Sequence, residues 1–243
     1  MNALAARDSG VRRVRGYEPP PEERIRTFTG GDLFGEEEFE RGNRLLSLTN
    51  RYFIAGDDSL LFAPRRVSIV GSRDASDDGK KRARRLARLL VDAGTVIVSG
   101  LAKGIDTAAH RAAIEAGGRT IAVIGTPLAR SYPVGNEQLQ MEIWRQHALV
   151  SEFAPGYPVY PANFVRRNRT MAMLSHATVI AEAGLTSGSL HQLKAMKELG
   201  RPAFVMRSLM GRNLKWPESF VANGGVHVLD DVEQVLAVLP SVA

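Results

Sequence analysis

Cysteine is missing from this chain of 243 residues, and so are long apolar runs. Without thiols there is no disulfide framework, no thiolate zinc site and no cysteine nucleophile, so nothing argues for export. No apolar run approaches the ~18–20 residues of a membrane-spanning helix. The opening MNALAARDSGVRRVRG also lacks the apolar stretch of a secretory signal. The expected setting is cytoplasmic, with no membrane partner. Aromatic residues are sparse at 7%, and the two tryptophans, Trp144 and Trp216, read as core packing. What is present suits a well-cored globule: 44% apolar and 24% charged residues exclude wholesale disorder, a collagen-like repeat and a coiled coil. Lys and Arg number 32 against 26 Asp and Glu, a net charge of +6. A basic chain suits a polyanionic partner, but only the placement of the charge can carry that argument.

Residues 1–64 read as an N-terminal extension, part of it packed on the main domain. Its first 30 residues form a poorly ordered lead-in, because Glu18-Pro19-Pro20-Pro21-Glu22-Glu23 can neither continue a helix nor sit in a central strand. Residues 32–50 are charged and helix-like, and Tyr52-Phe53-Ile54-Ala55-Gly56-Asp57 is a short strand with a turn. Residues 65–243 form the main domain, in which apolar runs alternate with helical stretches. The runs lie at 67–70, 95–98, 120–124, 148–150, 177–181 and 202–206, with a last strand at 225–229. They are uniformly apolar, the pattern of strands buried on both faces of a parallel sheet. Between them, Ala83, Leu86, Ala87 and Leu90 fall at i, i+3, i+4 and i+7, opposite Lys81, Arg82, Arg84, Arg85 and Arg88. This alternation predicts a three-layer α/β domain with right-handed crossovers.

In an open parallel sheet, ligands bind beyond the carboxyl ends of the strands. Those ends are rich here in glycine, hydroxyls and charge. They read Gly71-Ser72-Arg73, then Ser99-Gly100-Leu101-Ala102-Lys103-Gly104-Ile105-Asp106, then Gly125-Thr126-Pro127 and Ser151-Glu152. The fifth reads Glu182-Ala183-Gly184-Leu185-Thr186-Ser187-Gly188-Ser189. Glycine admits close backbone approach, and N–H groups opening a helix attract anions. Tight turns want Gly and Ser whatever they bind, but several such turns on one sheet edge favour a phosphate-binding crevice. Neither a P-loop nor a Gly-x-Gly-x-x-Gly fingerprint follows the first strand, so tight ATP or NAD binding is not supported and no cofactor is expected.

Asn163-Phe164-Val165-Arg166-Arg167-Asn168-Arg169 places three arginines and an aromatic at the start of a helix. Guanidinium groups fork onto phosphates and a Phe ring offers a face to a base. The bland alternative is a charged helix start with Phe164 in the core. The Arg-rich stretch 80–88 reads as a solvated outer face. Asp106 and His110 share a helix face, but two ligands make no metal site and no Ser has a nucleophile-elbow context, so neither metal nor catalysis is expected. His110 reads as a packing or hydrogen-bond partner of Asp106, and Glu182 as a further polar crevice residue.

At this point the motifs resemble the DNA-processing protein A (DprA/Smf) family. The resemblance rests on Gly71-Ser72-Arg73, on residues 99–106 with His110, on Tyr132-Pro133 with Asn136, and on Ser151-Glu152. It continues through Phe164 with Arg166-Arg167-Asn168-Arg169, Glu182-Ala183, Ser187-Gly188-Ser189-Leu190 and Gly200-Arg201, in order from about Tyr52 to Val205. It implies an extended Rossmann-like domain that binds single-stranded DNA without strong sequence preference and without catalysis. It also implies a homodimer that hands the strand to the RecA recombinase and protects incoming DNA in natural transformation. Arg73 and the 166–169 cluster would hold phosphates, and Phe164 would stack a base. Gly71, Ser72, Ser99, Gly100, Lys103, Gly104, Ser187, Gly188 and Ser189 complete the expected DNA and phosphate contacts. The chain departs from the family pattern at Val165, at Gln192-Leu193 and over 207–221, and a winged helix after Leu239 is not expected. A trimmed or divergent member is expected, with DNA binding ahead of RecA loading.

A second class of function is a nucleotide-binding sensor or enzyme resembling the lysine-decarboxylase-like phosphoribohydrolases. Their Pro-Gly-Gly-x-Gly-Thr-x-x-Glu loop would fall on residues 182–192, placing Gln192 where they carry a catalytic carboxylate. An amide cannot act as a general base, which counts against hydrolysis and leaves a sensor open. A purely structural partner protein explains the polar crevice least well.

Overall fold

The computed structural model describes residues 16–34, 50–184, 187–211 and 214–241. Among the described residues, nine strands lie in chain order: β1 (Ile25–Thr29), β2 (Arg51–Gly56), β3 (Arg66–Gly71), β4 (Val96–Ser99), β5 (Thr120–Ile124), β6 (Ala148–Ser151), β7 (Ala177–Glu182), β8 (Ala203–Met206) and β9 (Val226–Leu229). They form one sheet in the order β1-β2-β6-β5-β4-β3-β7-β8-β9. The seven strands from β6 to β9 in that order run parallel, and β2 joins β6 antiparallel with β1 outside it. The parallel strands are those the apolar runs predict, within a residue or two at each end.

Helices α1 (Asp77–Asp92), α2 (Ile105–Glu115), α3 (Glu137–Gln146), α4 (Pro161–Leu174), α5 (Ser189–Glu198), α6 (Lys215–Ala222) and α7 (Glu233–Leu236) cover both faces. Along β5, Ile121 and Val123 turn to the layer of α4 and α5, whereas Ala122 and Ile124 turn to the layer of α3. Val67 and Ile69 of β3 meet the stripe of Ala83, Leu86, Ala87 and Leu90 on α1. Each such Val, Leu or Ile, fully withdrawn from water, stabilises the fold by about 1.5–3 kcal/mol. The start of α1 is fixed by Ser76, whose hydroxyl accepts from Gly79 N at 3.0 Å, with Asp77 and Asp78 placed favourably for the helix dipole. Trp144 and Trp216 are buried, as their sequence context suggests. No helix among the described residues is long and apolar enough to cross a membrane.

From Gly16 onward the lead-in differs from its sequence expectation, while residues 1–15 lie outside the described residues. Tyr17 is buried, donates its hydroxyl to Leu128 O at 2.8 Å and accepts from Gln140 Nε2 at 2.9 Å; Trp144 Nε1 donates to Glu18 O at 3.2 Å. Residues 25–29 then pair with β2, Ile25 opposite Ala55 and Thr29 opposite Arg51. Ile-Arg-Thr-Phe-Thr has little apolar pattern of its own, and the edge of β2 supplies the partner that makes it a strand. Of the helix expected over 32–50, residues 35–49 lie outside the described residues.

Candidate functional site

From β3 the chain builds β4, β5 and β6 to one side, then returns through α4 to build β7, β8 and β9 on the other. The carboxyl ends of β3 and β7 are therefore the switch point, where diverging loops leave a crevice. A cavity of about 340 Å³ opens there. The β3 turn supplies Gly71, Ser72, Arg73 and Asp74, and the β7 turn with the start of α5 supplies Gly184, Ser187, Gly188 and Ser189. Ala102 comes from the turn before α2 and Asp106 from the first turn of that helix. From α4 come Phe164, Arg167, Asn168 and Met171, spaced i, i+3, i+4 and i+7, so that one helix face forms a wall.

The floor is a buried ion pair. Arg167 Nη1 stands 4.0 Å from Asp106 Oδ2 and donates to Val123 O at 3.0 Å, and both side chains are almost wholly withdrawn from water. Asp106 also accepts from Ala102 N at 3.3 Å. Burial pushes its carboxyl up from the ordinary aspartate range, against the pull of Arg167 and of the N–H groups of Ala102, Gly100 and Gly71. Gly100 is required by this pair. A Cβ there would stand 1.4 Å from Arg167 Nη1, so the guanidinium lies directly on the glycine backbone. Next to it, Leu101 takes φ 57°, a left-handed conformation that side chains disfavour and that the buried turn enforces.

The mouth is aromatic and cationic. Phe164 lies against the backbone of Gly125, where a Cβ would stand 2.7 Å from the ring. Its ring centroid is 5.1 Å from that of Tyr132, itself 40% exposed, and the Arg73 guanidinium carbon lies 5.4 Å from the Phe164 centroid. Arg73 is exposed. Asn168 Nδ2 donates to Gly188 O at 3.0 Å, tying α4 to the start of α5. At that start the Ser187 and Ser189 hydroxyls are 2.7 Å apart, and Ser187 Oγ also accepts from Ser189 N at 3.4 Å, while Leu190 N and His191 N donate to Ser187 O and Gly188 O at 3.1 Å each.

Several expected contacts lie elsewhere. The arginine cluster is split by the helical period: only Arg167 with Asn168 faces the cavity. Arg166 turns away, with Nε donating to Glu152 Oε2 at 2.6 Å and the guanidinium over Phe153, while Arg169 is exposed on the flank of α4 and does not line the cavity. Ser99 is buried and donates to Ile69 O at 2.7 Å, so its hydroxyl supports the sheet. Lys103 and Gly104 face a separate groove. His110 is not a partner of Asp106, since its Nδ1 meets Thr120 Oγ1 at 2.7 Å in the core. Glu182 sits below the crevice and accepts from Ser76 N at 2.7 Å and Ser76 Oγ at 2.6 Å, with Arg82 at 3.2 Å. Its carboxylate thus fills the anion position at the start of α1, where a ligand phosphate would otherwise be favoured.

Met171, Asp74 and Gln192 line the cavity without having been singled out as ligand contacts. Met171 was reachable by carrying the i+7 step along α4. Gln192 is fully buried within reach of Thr178 Oγ1, at 3.2 Å, which makes it a bridge in the polar core below the cavity.

Residues 43–240 match the family model described as DNA recombination-mediator protein A. Over 154 residues, 63% of this chain and 54% of that protein, the sequence is 45% identical to the DNA processing protein DprA of Streptococcus pneumoniae. The chain spans about half the length of this curated relative. The crystal structure of the S. pneumoniae protein superposes with a TM-score of 0.77 at 35% identity, over 90% of this chain and 76% of that one. DNA processing protein A of Helicobacter pylori, solved for its single-stranded DNA binding mode, gives 0.72 at 27% identity, over 82% and 90%.

Proposed function

Because the chain belongs to the DNA recombination-mediator protein A family, we propose that its switch-point cavity holds an unpaired DNA strand without changing it chemically, in the cytoplasm. The observation that carries this reading is the pair at the mouth, an exposed guanidinium over an aromatic ring. Arg73 covers Phe164, a cation–π contact worth about 0.5–1 kcal/mol when exposed. A stacked base is worth about 1–3 kcal/mol. The base therefore displaces the guanidinium, which is then placed to fork onto the neighbouring phosphate. The Ser187 and Ser189 hydroxyls at the start of α5, 2.7 Å apart on the opposite wall, offer a second polar contact for the strand. Arg167 holds the floor in shape by its pairing with Asp106 and acts on the strand through that shape.

Stacking and phosphate contacts carry no base code, so the strand is bound with little sequence preference. The H. pylori relative's single-stranded DNA binding supports the choice of ligand. The finer reading is that a homodimer delivers the strand to RecA during natural transformation. It is supported by the family's description as a recombination mediator, and a RecA-filament nucleation assay with and without this protein tests it.

A hydrolase reading is disfavoured. Gln192 carries an amide, and of the two carboxylates lining the cavity among the described residues, Asp106 is engaged by Arg167 and backbone N–H groups. Fluorescence anisotropy with a labelled oligothymidine and its duplex tests the proposal. Preference for the single strand, weakened in Arg73→Ala, supports it. Equal binding of both, or an Arg73→Ala variant indistinguishable from wild type, contradicts it.

A further inference from the structure

A second basic groove adjoins the cavity. It lies between α1 and α2, has a volume of about 380 Å³, and is lined by Lys80, Arg84, Lys103, Arg111 and the 134–136 loop. Its cations are of two kinds. Lys80 is held by Asp77 at 3.2 Å and Arg84 by Glu115. Lys103 and Arg111 are exposed and have no acidic partner within ion-pair distance among the described residues. Glu137, the nearby carboxylate of α3, is turned to its own loop and accepts from Gly135 N at 2.8 Å.

Groove and cavity share two walls. The first is the turn before α2: Ala102 lines the cavity while Lys103 and Gly104 line the groove. This turn is fastened to the Arg73 turn, with Ile105 N donating to Ser72 O at 3.2 Å. Gly104 lies so close that a Cβ would stand 2.3 Å from Ser72 O. The second wall is the loop before α3. Its Tyr132 touches Phe164 at the cavity mouth, and its Val134, Gly135 and Asn136 line the groove. Asn136 Nδ2 pins that loop to Leu101 O at 2.9 Å and to Thr107 Oγ1 at 2.8 Å. The turn before α2, fastened to the Arg73 turn, and the Tyr132 loop thus border the cavity on one side and the groove on the other.

We propose that this groove is a second lobe of the binding track, in which Lys103 and Arg111 hold the phosphates of the same unpaired strand beyond the cavity. The inference rests on the function proposed above. It makes affinity depend on strand length: a short oligonucleotide fills the cavity alone, and a longer one gains the groove.

The test is anisotropy of the full chain with labelled oligothymidines of roughly 4 and roughly 16 nucleotides, which bracket the site sizes of known single-strand folds. Wild type should bind the longer strand more tightly and with a steeper salt slope. Lys103→Ala with Arg111→Ala should remove most of that gain, about tenfold, and lower the slope for the longer strand by about 1.4, or 0.7 for each lost phosphate contact. Both side chains are exposed, so folding is not at stake, and Lys103→Arg with Arg111→Lys should restore the gain. A double alanine variant that keeps the length gain and the slope overturns the second lobe while leaving the cavity reading intact. A wild-type protein that binds neither length overturns both.

Discussion

Arg167 and Asp106, 61 positions apart in the sequence by their numbering, meet as a buried ion pair with Nη1 4.0 Å from Oδ2. Neither side chain has water to fall back on, so removing one strands the other. Arg167→Met should cost about 3–5 kcal/mol of stability, and Asp106→Asn in the same chain should return a substantial part of it. Urea unfolding of the single and double variants measures this. Equal stability of Arg167→Met and wild type would show that the pair does not hold the floor.

Gly100→Ala should behave like a partial loss of the same pair. The added methyl would overlap the guanidinium at 1.4 Å and push it off the floor. Destabilisation of about 1–3 kcal/mol is expected from overpacking, with weaker binding of single-stranded DNA. An alanine variant with native melting temperature and native affinity contradicts the contact.

Acid should destabilise the fold through buried histidines. Burial pushes the His110 ring down to about 3 and that of His176 to about 4, from an ordinary 6.5. Folded, both stay neutral; unfolded, both take up a proton below about 6.5. The unfolded chain then binds more protons, so stability is complete above that pH and falls as pH drops toward 4. His110 alone accounts for about 1.4 kcal/mol per pH unit in that window, and the partly exposed His176 for less. Urea unfolding at about pH 7 and about pH 5 should show the loss, and His110→Gln should flatten it. The raised carboxyl of Asp106 works in the opposite sense, so the difference between the two proteins isolates the histidine, and a His110→Gln variant with the pH dependence of wild type would contradict the assignment.

Phe164→Leu keeps an apolar side chain against Gly125 but removes the π face. Affinity for single-stranded DNA should fall by about 1–3 kcal/mol, and Phe164→Tyr should retain most of it. If leucine binds as well as phenylalanine, the ring serves packing only.

Much of the fold was readable from the sequence because burial on both faces leaves a signal in each strand separately. Val67, Ile69 and Val70, and Ile121 to Ile124, are apolar without reference to their neighbours. Strand β1 carries no such signal: Ile25 is a strand residue because Ala55 lies opposite. The cavity was legible at the level of turns, since Gly71-Ser72-Arg73 and Ser187-Gly188-Ser189 do end at the switch point. The 166–169 cluster looked like one site because it is continuous in sequence. On a helix each residue turns by about 100°, so Arg166 and Arg167 face different surroundings. The role of Gly100 was not legible, because it depends on a guanidinium delivered from α4.

The central claim is that a base of the bound strand lies on Phe164 at the cavity mouth. Photo-crosslinking an oligonucleotide carrying 5-iododeoxyuridine, followed by mass spectrometry of the adducts, tests it most directly. Adducts on Phe164 or Tyr132, lost in Phe164→Leu with Tyr132→Leu, are the expected result. A strand that binds but crosslinks only to residues remote from the cavity would contradict the account.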